Sequence, residues 1–452
     1  MRILPNPGEM LVLFTYDPAR IYQVLEQNRN RFGKRFVASL DAETVEAEDD
    51  SGRLERFKVE VSGPDGKKLV AVSLRSFIEK MVPQLEDALV IVYGHGARRL
   101  GPPPLGPPPR LKRSTAMVLM VESLDDVPEG WELAASDMVD AYFADEEEVA
   151  QVLGARVREL RGVLYGELLR LRDCPPEKWL QEADRMRNIR LLSVGLERMK
   201  QSSSFDELPL DGYFKKHLAR HYGRPANIVF TGSPGSGKTT IAKAMASAFR
   251  NCYLLDAGRI LERERGGFLA HALQTLQYIS NVSLVINEMD HLVMAGRQYL
   301  SRFLSFLEEN HSVWLAGTVI DVAPLMRDEG GAYSSELLRP GRIDEVIPVP
   351  PPFEKRTKME IVRREAESLG ANLSPDDIRR IASAAPLLYP SDYISLIQRF
   401  MSEGRRGIAL FAETYDVEAR RASILDLIDK CKRLGNTGVG LLEKIEYYVD
   451  SA

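Results

Sequence analysis

Cysteine is scarce. The chain of 452 residues has three, Cys174, Cys252 and Cys431, far apart and with no CxxC spacing among them. An odd, scattered set excludes a disulfide framework and a thiolate zinc site, and points to a reducing compartment. The six histidines do not cluster with cysteines at metal-ligand spacing. No apolar run reaches the roughly 18 residues of a membrane-crossing helix. The first residues, Met1-Arg-Ile-Leu-Pro-Asn-Pro-Gly8, lack a cationic segment followed by an apolar core, so no signal peptide is expected. Neither sign of charge dominates: 60 basic residues stand against 65 acidic ones, a net charge of −5. Such a chain is not built as a whole for nucleic acid or an anionic membrane. A cytoplasmic location is the expectation. What remains, 44% apolar and 28% charged, is ordinary globular composition, and the length has room for two or three domains.

Against this plain background one stretch stands out. Gly232-Ser-Pro-Gly-Ser-Gly-Lys238-Thr239 fits the phosphate-loop pattern G-x-x-x-x-G-K-[ST]. Glycines without a Cβ let the backbone close around phosphate oxygens, and exposed N–H groups at a helix start favour an anion. Lys238 has the reach for β/γ-phosphates, and the Thr239 hydroxyl suits Mg²⁺. The flanks agree: Asn227-Ile-Val-Phe-Thr231 reads as a buried strand and Ile241–Phe249 as an Ala-rich helix. Further on, Ser283-Leu-Val-Ile-Asn-Glu-Met-Asp290 is an apolar strand ending in acidic residues. Ser335-Glu-Leu-Leu-Arg-Pro-Gly-Arg-Ile-Asp344 carries two arginines, Arg339 and Arg342.

Taken together, these three motifs resemble the AAA family (ATPases associated with diverse cellular activities). The Arg-Pro-Gly-Arg segment is similar to the second region of homology of its narrow clade. The resemblance covers roughly residues 205–400. It implies a phosphate-loop NTPase α/β core, a parallel five-stranded sheet with helices on both faces, followed by an α-helical lid. It implies ATP held by Gly232, Ser233, Pro234, Gly235, Ser236, Gly237, Lys238, Thr239 and Thr240, with Mg²⁺ at Thr239 and, less directly, Asn287. Glu288 matches the family's water-polarising glutamate, and Thr318 its polar sensor. Arg339 and Arg342 match the fingers that act on a neighbouring subunit's γ-phosphate. That last role requires a homo-oligomeric ring, expected to be a hexamer. Three departures stand beside the matches. Asn287 replaces the family's metal-side aspartate, so weak Mg²⁺ dependence and slow hydrolysis are expected. The interval from Thr318 to Arg339 is longer than the family's. Finally, Leu261-Glu-Arg-Glu-Arg-Gly-Gly-Phe268 lacks the aromatic-glycine pore pair at its expected place.

The first 200 residues read as a separate α/β unit. Strands are expected at 11–15, 35–39, 88–93 and 116–121, helices at 19–32 and 74–85, and an inserted hairpin at 54–72. Gly101-Pro-Pro-Pro-Leu-Gly-Pro-Pro-Pro109 excludes helix or central strand and reads as a surface loop. After the first strand comes Thr15-Tyr-Asp-Pro-Ala19, not a glycine loop with lysine, so no nucleotide is expected there. Scattered features resemble an AAA subgroup whose active domain follows a degenerate ATPase-like one; an unrelated adaptor domain is the alternative. The expected plan is therefore an N-terminal α/β domain (1–145), a helical connector (146–204), the AAA α/β subdomain (205–352) and the lid with C-terminal helices (353–452). Glu146–Glu148 reads as the solvated start of one helix that runs on to Cys174, and a second helix is expected from Trp179 to about Met199.

Three functions follow. One is an ATP hydrolase that remodels proteins or their assemblies, with a protein substrate or adaptor docking on the N-terminal domain. The second is a nucleotide-gated scaffold with weak or no hydrolysis. The third, disfavoured by the charge balance, is a nucleic-acid-associated motor for which Arg259, Arg263 and Arg265 leave room.

Overall fold

The computed structural model describes residues 5–15, 17–40, 44–48, 53–56, 60–62, 68–70, 74–94, 107–121, 127–128, 131–193, 195–199, 204–258, 268–294, 303–304, 306–308, 312–323, 339 and 341–452. The expected pore segment 261–267, with Arg259, and the stretch 324–338 lie outside them, as does 101–106 of the proline-rich segment. Two compact units emerge, residues 1–190 with 264–271, and residues 191–263 with 272–452.

The first unit is built on strands β1 (Met10–Phe14), β2 (Lys34–Ser39), β3 (Thr44–Glu48), β4 (Leu54–Arg56), β7 (Ala88–Tyr93), β8 (Thr115–Val121) and β9 (Asp137–Asp140), with β5 (Glu60–Ser62) and β6 (Lys68–Val70) forming a separate antiparallel pair. Its seven-stranded sheet runs β4-β3-β2-β7-β8-β1-β9. β2, β7, β8, β1 and β9 are mutually parallel, while β3 and β4 add an antiparallel edge. The runs Ala88–Val92 and Thr115–Val121 are buried throughout, as expected of strands covered on both faces. One face packs Val90, Met117 and Leu119 on Phe77, Ile78 and Trp131; the other packs Leu13, Ile91 and Val118 on Ile21 and Val24 of helix α1 (Ala19–Asn28).

The helix expected to run from 146 to 174 is broken. Helix α2 (Glu146–Leu153) ends at Gly154 in the left-handed conformation (φ 70°), and α3 (Tyr165–Arg172) begins after a short 3₁₀ turn. Glu148 is not a solvated helix start either: it is buried and its carboxylate accepts from Gln23 Nε2 at 2.7 Å and from Arg20 Nη1. The charge run concealed this, because the partner cation lies more than a hundred residues earlier. Helix α4 (Trp179–Ser193) stops short of Met199; Gly195 (φ 92°) turns the chain into strand β10 (Leu196–Arg198).

In the second unit β10 pairs antiparallel with β12 (Asn251–Asp256). β12 continues through β13 (Val282–Asn287), β14 (Val313–Val319), β11 (Asn227–Thr231) and β15 (Glu345–Pro348), all parallel. The core is thus the expected five-stranded parallel sheet with one antiparallel edge strand added. Between these strands lie α5 (Gly212–Leu218), α6 (Lys238–Ala246), α7 (Phe268–Gln277) and α8 (Asp290–Met294). Then come α9 (Lys355–Ser368), α10 (Pro375–Ala382), α11 (Pro390–Glu403) and α12 (Arg405–Thr414), which enclose a core of their own around Ile361, Ile381, Tyr393, Leu396 and Ile397. α13 (Val417–Leu434) and α14 (Val439–Asp450) close the chain. The turn between them is pinned to β15: Val346 N donates to Asn436 O at 3.0 Å and Thr437 Oγ1 to Val346 O at 2.7 Å.

The parallel strands of both units follow one plan. Numbered in chain order within each unit, they lie 2-3-4-1-5 across the sheet. The first strand therefore sits where the order reverses, and the crevice beyond its carboxyl end is where open α/β sheets take ligands.

Candidate nucleotide-binding site

In the second unit that crevice is formed by the turn from β11 to α6. Gly232, Gly235 and Gly237 have φ of 145°, 76° and 94°, so the turn needs residues without a Cβ. Gly237 caps α6, and Ile241 N donates to its carbonyl at 2.9 Å. Lys238 is folded back over the loop: Nζ donates to Gly232 O at 2.7 Å and Ser233 O at 3.0 Å. Burial lowers its pKa, and the Asp290 carboxylate opposes that. The ammonium is thus a desolvated cation met in part by neutral carbonyls, a state that incoming phosphate oxygens relieve. Ser236 Oγ and Asp290 Oδ1 are buried without a hydrogen-bond partner. Pro234 and Thr240 are exposed.

The end of β13 faces the loop. Asn287 Oδ1 accepts from Thr239 Oγ1 at 2.9 Å and from Thr318 Oγ1 at 3.2 Å. The amide oxygen thus fills one carboxylate duty, accepting from the loop threonine, without the charge. Glu288 follows at φ 55°, a conformation a glutamate rarely adopts and that costs of order 1–3 kcal/mol. It is held there by bonds from Glu288 N to Thr318 Oγ1 (3.2 Å) and from Met289 N to Thr318 O (2.9 Å). The Glu288 side chain is about half exposed and its Oε2 lies 3.8 Å from His291 Nδ1. Thr318 is buried and its hydroxyl serves the strand end. Gly317 beside it is obligatory for packing, since a Cβ there would stand 2.5 Å from Met289 Sδ.

The two arginines are placed differently. Arg339 is exposed. Arg342 is buried, and its Nε donates to Glu308 Oε1 at 2.9 Å.

Several residues around the loop escaped sequence reading. The start of α11 lies on it: Ser391 N donates to Gly235 O at 3.3 Å, and the Tyr389 phenol hydrogen-bonds the Ser233 side chain, its pKa pushed up to about 12 by burial. Asp392 caps its own helix by accepting from Tyr389 N at 2.8 Å and pairs with Arg420 at 3.4 Å. A cleft of about 350 Å³, counting space open to solvent, is lined by Leu210, Asp211, Ser236, Ile241, Pro351, Ile361 and Pro390. Its lining is mostly apolar, with a few polar groups, as in small-molecule sites. The one available signal was the Pro350-Pro-Pro352 run, which has no ligand meaning by itself.

Replacing Gly235 by alanine is expected to damage this arrangement. The new Cβ would fall 2.4 Å from Ser391 Cβ on a backbone with positive φ. Urea unfolding should show a loss of about 1–3 kcal/mol, the usual cost of a strained backbone site, with weaker ATP binding by calorimetry. A variant as stable and as tight as the parent would show that α11 does not rest on the loop.

Residues 228–351 match the model of the ATPase family associated with various cellular activities (AAA). This part of the chain belongs to the AAA family. A proteasome-activating nucleotidase of Thermococcus kodakarensis is 28% identical over 170 residues, 35% of this chain and 42% of the relative. That of Pyrococcus horikoshii is 28% identical over 245 residues, 51% of this chain and 53% of the relative. The chain therefore spans about half or less of the curated relatives it matches. A katanin chain, solved in work on katanin self-assembly, aligns with 58% of this chain and 96% of its own length at 18% identity and a TM-score of 0.39. Among the described residues no helix is long and apolar enough to cross a membrane.

Residues of the AAA segment fit a bound nucleotide and its cation. A buried lysine over a positive-φ glycine loop and an orphaned Ser236 hydroxyl suit phosphate oxygens. Thr239 Oγ1 and Asn287 Oδ1 are hard oxygen donors of the type Mg²⁺ takes, although both are neutral.

The first unit presents the same crevice differently. Between β1 and α1 the Asp17 carboxylate accepts from Ala19 N at 3.0 Å and from Gly166 N at 2.7 Å, while Asp17 N donates to Thr15 Oγ1 at 3.1 Å. The start of α1 thus already carries a protein anion. Arg20, fully buried, is spent on Ala141 O, Phe143 O, Gln23 and Glu148.

Proposed function

We propose that the chain is an ATP- and Mg²⁺-dependent hydrolase that works in a ring of its own copies and remodels proteins or protein assemblies. The observation that carries this reading is the loop at 232–239, closed by glycines around a desolvated Lys238 and facing the paired oxygens of Thr239 and Asn287. Loop amides and Lys238 hold the β- and γ-phosphates, and Ser236 donates from the loop floor. The base lies in the cleft between Leu210 and Ile361. Thr239 and Asn287 would hold Mg²⁺, which when bound would supply charge neutralisation at the phosphates. Glu288, kept in its unusual conformation by Thr318, orients and polarises the attacking water. Thr318 is a positioning residue. Arg339, exposed, reaches the γ-phosphate of the next copy; Arg342 holds the segment through Glu308.

In this reading the first unit is a degenerate ATPase-like domain. Its strand order matches that of the AAA core, and Asp17 takes the place of phosphate. It binds no nucleotide and docks a protein substrate or adaptor. Its setting is cytoplasmic. The steady-state ATPase rate, measured with and without Mg²⁺ and with unfolded protein or DNA added, tests the whole. Mg²⁺-dependent turnover raised by unfolded protein supports remodelling; stimulation by DNA alone overturns it in favour of a nucleic-acid motor.

One observation favours the scaffold reading, in which ATP drives assembly and is hydrolysed slowly: a neutral amide occupies the metal side of β13. Asn287→Asp restores a charge beside Thr239 and is expected to raise kcat about tenfold, equivalent to about 1.4 kcal/mol of barrier. Unchanged turnover in this variant would remove Asn287 as the cause of slow hydrolysis.

A further inference from the structure

A second convergence of polar groups in the 191–452 unit takes no part in nucleotide binding. His217 lies near the end of α5 and His221 one turn later, so both imidazoles project to one side. Glu345 opens β15 and meets them: His217 Nε2 donates to Oε1 at 2.9 Å and His221 Nε2 to Oε2 at 2.7 Å. One atom from each of the three lies within 4.8 Å of the others. The carboxylate also accepts from Gly438 N at 2.9 Å, and Gly438 is so close that a Cβ would stand 3.0 Å from the His217 ring. His217 and Glu345 are buried, and His221 is partly exposed. Burial works to raise the Glu345 pKa, but the hydrogen bonds from both histidines outweigh it and bring the carboxyl down to about 2. A cleft of about 520 Å³ lined by Glu345, Asn436, Thr437 and Gly438 leads to the carboxylate from solvent.

One histidine would be enough to satisfy a buried carboxylate. Here two are aimed at opposite oxygens through the same ring atom, and the cleft gives an entry path. Two neutral imidazoles and one carboxylate are the ligand set of zinc centres that keep an open position. In such a tetrahedron, bonds of about 2.0–2.2 Å place ligand atoms about 3.3–3.5 Å apart, so the nitrogen–oxygen pairs at 2.9 and 2.7 Å must open while separations of up to 4.8 Å within the group close. Imidazole and carboxylate together favour a borderline cation over Mg²⁺, which prefers an all-oxygen shell.

We propose that His217, His221 and Glu345 form a second cation site, for a borderline divalent ion of the Zn²⁺ class, bound through two Nε2 atoms and a carboxylate oxygen with one position open toward the cleft. Binding requires the Nδ1–H tautomer of both rings, so each Nε2 gives up its proton to solvent while Nδ1 takes one up, and the imidazoles stay neutral. The bound ion ties the turn between α13 and α14 to α5 and β15 and so braces the C-terminal helices.

The test uses the full chain without nucleotide, titrated with Co²⁺ and then Zn²⁺. One equivalent of Co²⁺ is expected to give the visible d–d bands of a tetrahedral site, Zn²⁺ to displace it, and Zn²⁺ to raise the melting temperature. His221→Gln, at the partly exposed ring, and Glu345→Gln, which keeps the shape of the acid, should both lose the bands while circular dichroism shows the native fold. Lys238→Ala should keep them, which separates this site from any ion that accompanies ATP. Absence of a tetrahedral Co²⁺ spectrum in the parent chain, or its persistence in folded His221→Gln, overturns the proposal.

Discussion

Lys238→Ala is expected to weaken Mg-ATP binding by about 10–150-fold. The figure follows from losing one hydrogen bond between charged partners, about 1.5–3 kcal/mol, at 1.36 kcal/mol per decade. The structure explains why the effect should be at the high end. The ammonium is buried and bonded to Gly232 O and Ser233 O. Burial disfavours its charge, so anionic phosphates regain more from it than from a solvated surface lysine. The local backbone should survive, because the glycine conformations are set by the turn itself and α6 is anchored by Ile241, Ala242 and Met245 in the core. Calorimetry with ATP and Mg²⁺, beside a thermal melt confirming the fold, measures it. Equal affinity in the variant would mean that the loop does not bind triphosphate.

Arg339→Ala is expected to lower turnover by about 10³–10⁵, the range for an arginine supplied to a phosphoryl-transfer site, while ATP affinity stays within a factor of about two, since the arginine acts on the transition state rather than on bound substrate. The two arginines of the motif should separate cleanly. Arg342 is buried and bonded to Glu308, so its removal leaves a gap in the packing and acts through stability. Arg339 is exposed, so its removal costs little in folding. Mixing the Arg339→Ala chain with Lys238→Ala chain gives the sharper result. Each lacks what the other has, and a site shared between copies recovers part of the activity in mixed rings. Failure of the mixture to recover any activity, or full turnover in Arg339→Ala alone, would exclude an arginine acting between subunits.

The strands were largely legible because parallel strands covered on both faces are written as unbroken apolar runs. Ala88–Tyr93, Thr115–Val121 and Val282–Asn287 are of this kind, and no competing helical period obscured them. The region after 352 reads as helical, and its helices carry local caps, such as the Ser374 side chain accepting from Asp377 N at 3.2 Å ahead of Pro375. Errors fell where a glycine interrupts a helical period. Gly154 and Gly195 both take positive φ, and the apolar spacing on either side of each gave no warning of it. The fate of single charged residues was illegible for a different reason. Glu148 reads as solvated until Arg20 arrives from α1, and nothing in the sequence announces the Glu308 carboxylate beside Arg342.

What the chain alone determined is local: a strand, a glycine turn and a helix at 227–246, a second strand ending in Asn287 and Glu288, and an arginine pair downstream. Each depends on neighbours within a few residues, where backbone conformation and hydrophobic period act. The tertiary structure decided which distant groups share a cavity. It set Asn287 against Thr239 and Thr318, rested Tyr389 and Ser391 on the loop, filled the first unit's crevice with Asp17, and gathered His217, His221 and Glu345. These meetings depend on strand order and crossover connections, and no periodicity within a segment encodes which other segment will lie beside it.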